Sequence, residues 1–276
     1  MKANLSNLSR LILLILLLPD PLISTTTDDE RAVTIIEYIL DQIVSWKKGH
    51  HHPRPFVTLT FAQSLDGKIA LSGDKEGQET SSNFQISCKE SQRMTHALRS
   101  AHDAIMIGGR TLSIDNPRLS NRSWGTRQPT PVVLDTNLQH LNILGNKRRA
   151  KNLIVCCTAD AALRCQSIPE GVTLLPSELN DDGFLDLFLI LEALQEKLGI
   201  ESIMVEGGSK VLESFAKNNL VDCFCVTTSP QILGERGLSA LSNICPSDGK
   251  FSLHSPNFFN LGTDCILLSK WLVSSE

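Results

Sequence analysis

Residues whose types and spacing could do chemistry fall where apolar runs break into glycine-bearing turns. The stretch SIMVEGGSKVLESF, residues 202 to 215, sends an apolar run into Glu206, Gly207, Gly208 and Ser209 and then into a helical pattern. Ile107-Gly108-Gly109-Arg110-Thr111 follows the run DAIMIG, and Gln63-Ser64-Leu65-Asp66-Gly67-Lys68 follows FVTLTFA. Glycine lets the backbone approach a ligand closely, and free N–H groups at the head of a following helix favour anions. Read singly, each turn is equally a tight turn or a phosphate cradle. Glu206 carries more, because a carboxylate at the end of a buried strand is costly without a partner, which favours a ligand role. Neither G-x-G-x-x-G nor G-x-x-x-x-G-K-[ST] occurs, so the Rossmann fingerprint and the P-loop are excluded. No Ser-His-Asp or Cys-His arrangement asks for a covalent nucleophile.

Such turns need strands to end in them. The segments 56–62, 103–108, 131–135, 152–157, 172–176, 202–206, 221–228 and 265–273 read as strands, short apolar runs with turn residues at their ends. Helices are expected over 88–100, 184–198 and 209–218. The first opens on Ser87-Cys88-Lys89-Glu90, a capping-box spacing, and the second closes at Gly199. Strand-helix alternation predicts an α/β domain with a mainly parallel central sheet covered on both faces. The last strands follow one another without long helices, which predicts an antiparallel edge. Ligand sites in such sheets lie beyond the carboxyl ends of the strands, where all three turns fall.

The chain has 276 residues, 41% hydrophobic, with a formal net charge of −4. That is enough to bury a sizeable core, and it lacks the basic surplus that drives nucleic-acid binding. The eight cysteines show no C-x2-C pair and no His/Cys cluster at metal-ligand spacing, so no metal site is expected. Cys156, Cys157, Cys223 and Cys225 read as small core hydrophobes. Near the N-terminus, LILLILLL is too short to span a bilayer. It has the length of a signal-peptide core or serves as an apolar packing arm; residues 1–25 fit either reading. Residues 29–47 place Val33, Ile36, Tyr38, Ile39, Ile43, Val44 and Trp46 largely along one helical stripe. His50-His51-His52 with Pro53-Arg54-Pro55 reads as an exposed linker, giving an extension over 1–53 and a main domain over 54–276.

In combination and order, S-L-D-G-K, HALRSAHDAIMIGGRTLSIDNPRLSNR, PVVLDTNLQ, SIMVEGGSKVLESF and VDCFCVTTSPQILGERG resemble the reductases of riboflavin biosynthesis, over residues 54 to about 270. The resemblance implies a dihydrofolate reductase-like fold, NADPH as cofactor, a homodimer in the cytoplasm, and a pyrimidine ribosyl phosphate as substrate. Its reaction opens a ribosylamino group to an imine and reduces it to a ribitylamino group. The resemblance also implies roles. Gln63, Gly108, Arg110, Thr111, Asp115, Val205, Glu206, Gly207, Gly208 and Ser209 border the cofactor. Ser87, Arg99, Leu119, Arg122 and Glu206 border the substrate, with Arg99 and Arg122 on its phosphate and Glu206 on the pyrimidine amino groups or the sugar hydroxyls. Asp115 and Glu206 are the catalytic candidates.

Two departures from the family pattern stand out. Arg110 replaces the second glycine of G-x-G-T, which suggests a contact with the 2′-phosphate of NADPH. Thr60 stands where bacterial relatives usually have lysine, as in the stand-alone fungal-type enzymes. The H-x-E and P-C-x-x-C elements of a zinc deaminase are missing from the sequence. The expected substrate is therefore the 2,5-diamino-pyrimidinone, with the deaminated uracil analogue as runner-up. Another dihydrofolate reductase-like NADPH enzyme, or an inactive nucleotide-binding module, stands as the competing reading.

Overall fold

The computed structural model describes residues 27–49, 52–71, 85–125, 127–144, 152–242, 244 and 252–272. The apolar run near the N-terminus, with His50 and His51, lies outside them. The elements, in chain order, are α1 (Thr27–Lys48), β1 (Phe56–Ser64), β2 (Lys68–Leu71), α2 (Lys89–Ala101), β3 (Ala104–Gly108), α3 (Gly109–Asp115) and β4 (Thr130–Leu134). Then come α4 (Leu141–Leu144), β5 (Leu153–Thr158), α5 (Ala159–Arg164), β6 (Val172–Ser177), α6 (Leu187–Leu198), β7 (Ser202–Glu206) and α7 (Ser209–Lys217). The last are β8 (Cys223–Ser229), β9 (Gly237–Ser239), β10 (Ser252–Leu261) and β11 (Asp264–Leu272).

All eight expected strands are present, and the sheet runs β10-β11-β8-β1-β7-β3-β4-β5-β6. From β8 through β6 the neighbours are parallel, while β11 and β10 extend the β8 side antiparallel, so the expected architecture is found. Parallel strands covered on both faces have no polar side, and β7 shows it. Ile203 and Val205 enter one core with α6 and α7, and Met204 enters the other with α1 and α2. Cys223 and Cys225 share that second core, and burial pushes the Cys225 thiol up to about 12 and the Cys157 thiol to about 11. These thiols are packing groups.

Strand β7 lies between β1 and β3, although the chain reaches it long after both. From β3 the chain goes on outward to β4, while from β7 it turns back past β1 to β8, so the connections leave the adjacent strands β7 and β3 in opposite directions. At such a switch point open α/β sheets bind ligands in the crevice beyond the carboxyl ends of the strands, here those of β1, β7 and β3.

Three expectations are corrected. Helix α2 starts at Lys89 with Cys88 as N-cap and no side-chain cap bond, so the Ser87–Glu90 capping box does not form. The Cys88 N–H donates to Asp264 Oδ2 at 2.8 Å, a carboxylate brought by β11. The buried stripe of α1 is Ala32, Ile35, Ile36, Ile39, Leu40 and Ile43, with Val33, Tyr38 and Trp46 at its margin. His52 is not exposed linker: its ring stacks on Trp46 with centroids 3.6 Å apart. Arg54 lies over the same indole at 5.1 Å and forks onto Asp222 at 2.7 and 3.0 Å, which ties α1 to the sheet. No helix among the described residues is long and apolar enough to cross a membrane.

Candidate active site

Two of the glycine turns meet at the crevice. Gly108 caps α3 and Gly208 caps α7, both in extended conformation and neither with a side-chain cap bond. In the first turn of α7 the Val211 N–H donates back to the Gly208 carbonyl at 3.0 Å, which leaves the Ser209 and Lys210 N–H groups at the helix head. Thr111 Oγ1 accepts the Gly208 N–H at 3.2 Å and so joins the two turns. Gly207 is needed for packing: a Cβ there would come within 2.8 Å of Val211 Cβ. Val205 is fully buried and offers a ligand only its main chain. Arg110 is exposed on α3. Thr111 and Asp115 lie one helical turn apart and share a face of α3. Asp115 is open to solvent, yet crowding by neighbouring protein atoms raises its carboxyl above the ordinary aspartate value. Gln63, on β1, donates from Nε2 to Thr228 Oγ1 at 3.2 Å on the neighbouring strand.

On the other side of the crevice, Glu206 closes β7 opposite Thr60 of β1. Sequence reasoning gave Glu206 and Arg99 separate ligands; the fold gives them each other. Arg99 Nε and Nη2 donate to the two Glu206 oxygens, both at 2.7 Å, with both side chains mostly buried. The carboxylate is thus satisfied without a ligand. The pair is not saturated, because each oxygen keeps a lone pair and the guanidinium, which also donates to the Ser120 carbonyl at 3.3 Å, keeps further N–H groups.

Asn116 and Leu119 both have positive φ, 42° and 53°, on either side of Pro117. Such a conformation is unusual for a leucine and marks an over-determined loop. Leu119 is buried, which leaves Arg118 and Arg122 exposed. Buried Asn121 anchors the loop to α2 and to itself: Nδ2 donates to Ser100 Oγ and the Trp124 and Gly125 carbonyls, and Oδ1 accepts from the Ser123 and Trp124 N–H groups. Partial desolvation, with Arg99 and Arg118 nearby, holds the Arg122 guanidinium below the ordinary arginine range. Arg99, Arg118 and Arg122 thus form one basic group. Ser87 is not part of it. Helix α2 rises about 15 Å between Lys89 and Arg99, so Ser87 and Arg99 cannot hold the same phosphate.

The third turn is a structural clasp. Asp66 accepts from Ser64 Oγ at 2.6 Å and from the Leu233 and Gly234 N–H groups at 3.0 and 2.7 Å. The Ser64 hydroxyl and these amides pull its carboxyl down to about 2. The sequence reading also missed His96, Arg118, Ser100 and Asn121. For His96 a signal existed, its spacing of one helical turn from Arg99 in MTHALRS.

A parallel sheet with an antiparallel edge, a strand inserted between earlier ones, and, beyond its end, an amide-bearing helix head next to a basic, carboxylate-bearing group define a dihydrofolate reductase-like α/β protein. Residues 55–252 match the family model of the RibD C-terminal domain, and the chain belongs to that family. It is 34% identical over 198 residues to the 2,5-diamino-6-ribosylamino-4(3H)-pyrimidinone 5′-phosphate reductase of Saccharomyces cerevisiae, covering 66% of this chain and 75% of that protein. It is 33% identical over 223 residues to the riboflavin biosynthesis protein RibD of Aquifex aeolicus, covering 79% of this chain and 58% of that protein. Among solved structures it is similar to the riboflavin biosynthesis reductase Rib7 of Saccharomyces cerevisiae, with a TM-score of 0.67 and 26% identity over 86% of this chain and 99% of that one. The two Saccharomyces relatives are named as reductases, which implies a nicotinamide cofactor, and the Ser209 and Lys210 amides at the head of α7 suit its pyrophosphate.

Proposed function

We propose that this chain reduces the ribosylamino side chain of 2,5-diamino-6-ribosylamino-4(3H)-pyrimidinone 5′-phosphate to the ribitylamino form, with NADPH as reductant. The observation that carries the reading is the Arg99–Glu206 fork beside the Thr111–Gly208 junction, which puts a polar, partly satisfied platform next to an amide cradle. When bound, the cofactor supplies hydride to the carbon of the opened sugar imine. Gly207, Gly208, Ser209 and Thr111 hold its phosphates, Gly108 and the Val205 main chain border it, and exposed Arg110 is available to the 2′-phosphate. Asp115 and Gln63 flank the nicotinamide end.

On the substrate side, the free lone pairs of Glu206 accept from pyrimidine amino groups while Arg99 fixes the carboxylate. Arg122, with Arg118 and the spare donors of Arg99, takes the 5′-phosphate, and Leu119 forms the wall beneath them. Ser87, at the far end of α2, is left for another part of the elongated substrate. Asp115, whose carboxyl burial raises above the ordinary aspartate value, is the candidate proton donor on the cofactor side, with bulk water as the other source for the amine proton. Family resemblance supports a homodimer acting in the cytoplasm, with residues 1–53 an extension of the reductase domain.

The runner-up substrate is 5-amino-6-(5-phosphoribosylamino)uracil, which differs at one exocyclic group. Loss of NADPH absorbance with each pyrimidine phosphate tests the reading. Faster turnover of the diamino compound is expected, and faster turnover of the uracil would exchange the two. Cofactor binding without turnover of either would overturn the enzyme assignment.

A further inference from the structure

One buried polar atom beside the site has no partner. His96 lies on α2 one turn before Arg99, so the two side chains leave the same helix face. Its Nδ1 is buried and unpaired. The ring lies beside the Ser120 carbonyl, the oxygen that accepts from Arg99 Nη1 at 3.3 Å. Burial first, then Arg99 and Arg122, pull the imidazole down to about 4 against the opposing pull of Glu206. It is therefore neutral in the working range, with one N–H and one lone pair. Folded proteins leave few buried polar atoms unpaired, so each asks for a partner in some other state.

Nδ1 has no exposed surface, so a substrate does not reach it directly. Arg99 does have donors to spare. Of its five N–H groups, Glu206 engages one on Nε and one on Nη2, and Ser120 engages one on Nη1. We propose that His96 is a positioning residue for Arg99. When the substrate phosphate draws the guanidinium off the Ser120 carbonyl, an Arg99 N–H donates to the His96 Nδ1 lone pair, with the ring hydrogen carried on Nε2. The guanidinium is then fixed in one orientation, with Glu206 on one side, His96 on another, and the remaining donors on the phosphate. A second protonated group here would repel the arginines, which is why a neutral histidine serves and a lysine would not. The inference rests on the pyrimidine-phosphate reading of the site and adds to it a residue that does not itself touch the substrate.

Two variants separate this role from simple packing. His96→Phe keeps a ring and removes the acceptor, and His96→Asn returns an oxygen near the place of Nδ1. His96→Phe should raise KM for the pyrimidine phosphate about tenfold, as the loss of one charge-assisted hydrogen bond does, with kcat and NADPH affinity within about twofold. His96→Asn should recover most of the loss. If His96→Phe does not fold, His96→Gln, which replaces Nε2 but not Nδ1, takes its place with the same expectation. Titration with inorganic phosphate by calorimetry gives a readout independent of turnover, and the acceptor-less variant should bind phosphate about tenfold more weakly than wild type. Equal phosphate affinity, no phosphate binding by the wild type, or equal impairment of the Phe and Asn variants overturns the inference. Absence of turnover by the wild type, with the phosphate difference intact, overturns the substrate reading instead.

Discussion

Two arginines that look alike in sequence differ in what they hold. Arg99 is buried against Glu206, whereas Arg122 is exposed on a loop. Arg99→Ala leaves a mostly buried carboxylate without its counter-charge, so it should cost about 1–3 kcal/mol of stability as well as substrate affinity. Arg122→Ala should raise substrate KM with the urea midpoint unchanged. A destabilised Arg122→Ala, or an Arg99→Ala as stable as wild type, would contradict the arrangement. Thr111→Val tests the junction between the two cradling turns: losing the acceptor of the Gly208 N–H should cost about 1 kcal/mol and weaken NADPH binding, read by urea titration and calorimetry. Glu206 was legible from sequence as a carboxylate that must have a partner. The identity of that partner was not, since more than one hundred residues separate it from Arg99.

At the level of elements, the local signals succeeded where the chain's own pattern sufficed. Gly199 ends α6 in the left-handed conformation with φ 65°, as a glycine after a helix should. The capping box at α2 does not form because the helix starts one residue later, at Lys89 with Cys88 as N-cap, and the Cys88 N–H goes to the Asp264 carboxylate of a distant strand. Strand β10 escaped notice because Pro256 interrupts it, and a proline is tolerated only because β10 is the sheet's edge and bulges between His254 and Asn257. The close packing of α7 against its own entry turn gives a prediction at this scale. Gly207→Ala would set a methyl group within 2.8 Å of Val211 Cβ, so it should destabilise the protein by about 1–3 kcal/mol and weaken NADPH binding together with it. A fully stable Gly207→Ala with weakened cofactor affinity would show that packing is not what the glycine serves.

For the molecule as a whole, acid stability has an identifiable source. His102 is completely buried, with Nδ1 at 2.8 Å from the Leu98 carbonyl and Nε2 at 2.8 Å from Thr58 Oγ1. A carbonyl only accepts, so Nδ1 carries the hydrogen and Nε2 accepts from the threonine hydroxyl, which leaves no room for a second proton. Burial pulls this imidazole down to about 4 from an ordinary value near 6.5. The unfolded chain therefore takes up a proton that the folded one refuses. Stability is full above the unfolded value and falls as pH drops from about 6.5 toward 4, by roughly 3 kcal/mol. Urea midpoints at several pH values check this, and His102→Gln should reduce the slope, with His96, held to about 4, contributing to what remains; an unchanged slope would place its source elsewhere. The sequence by itself determined the strands, the principal helices and the glycine turns, because alternation, periodicity and turn chemistry are written within a few residues of each other. It also carried the family resemblance, because the motifs recur in order along the chain. Only the tertiary structure decided that β7 inserts between β1 and β3, that Arg99 forks onto Glu206, that Asp66 is a clasp, and that His96 keeps an unpaired nitrogen beside the site. Each of those depends on groups far apart in the chain, and their pairing is fixed by which strands lie side by side, which no local pattern encodes.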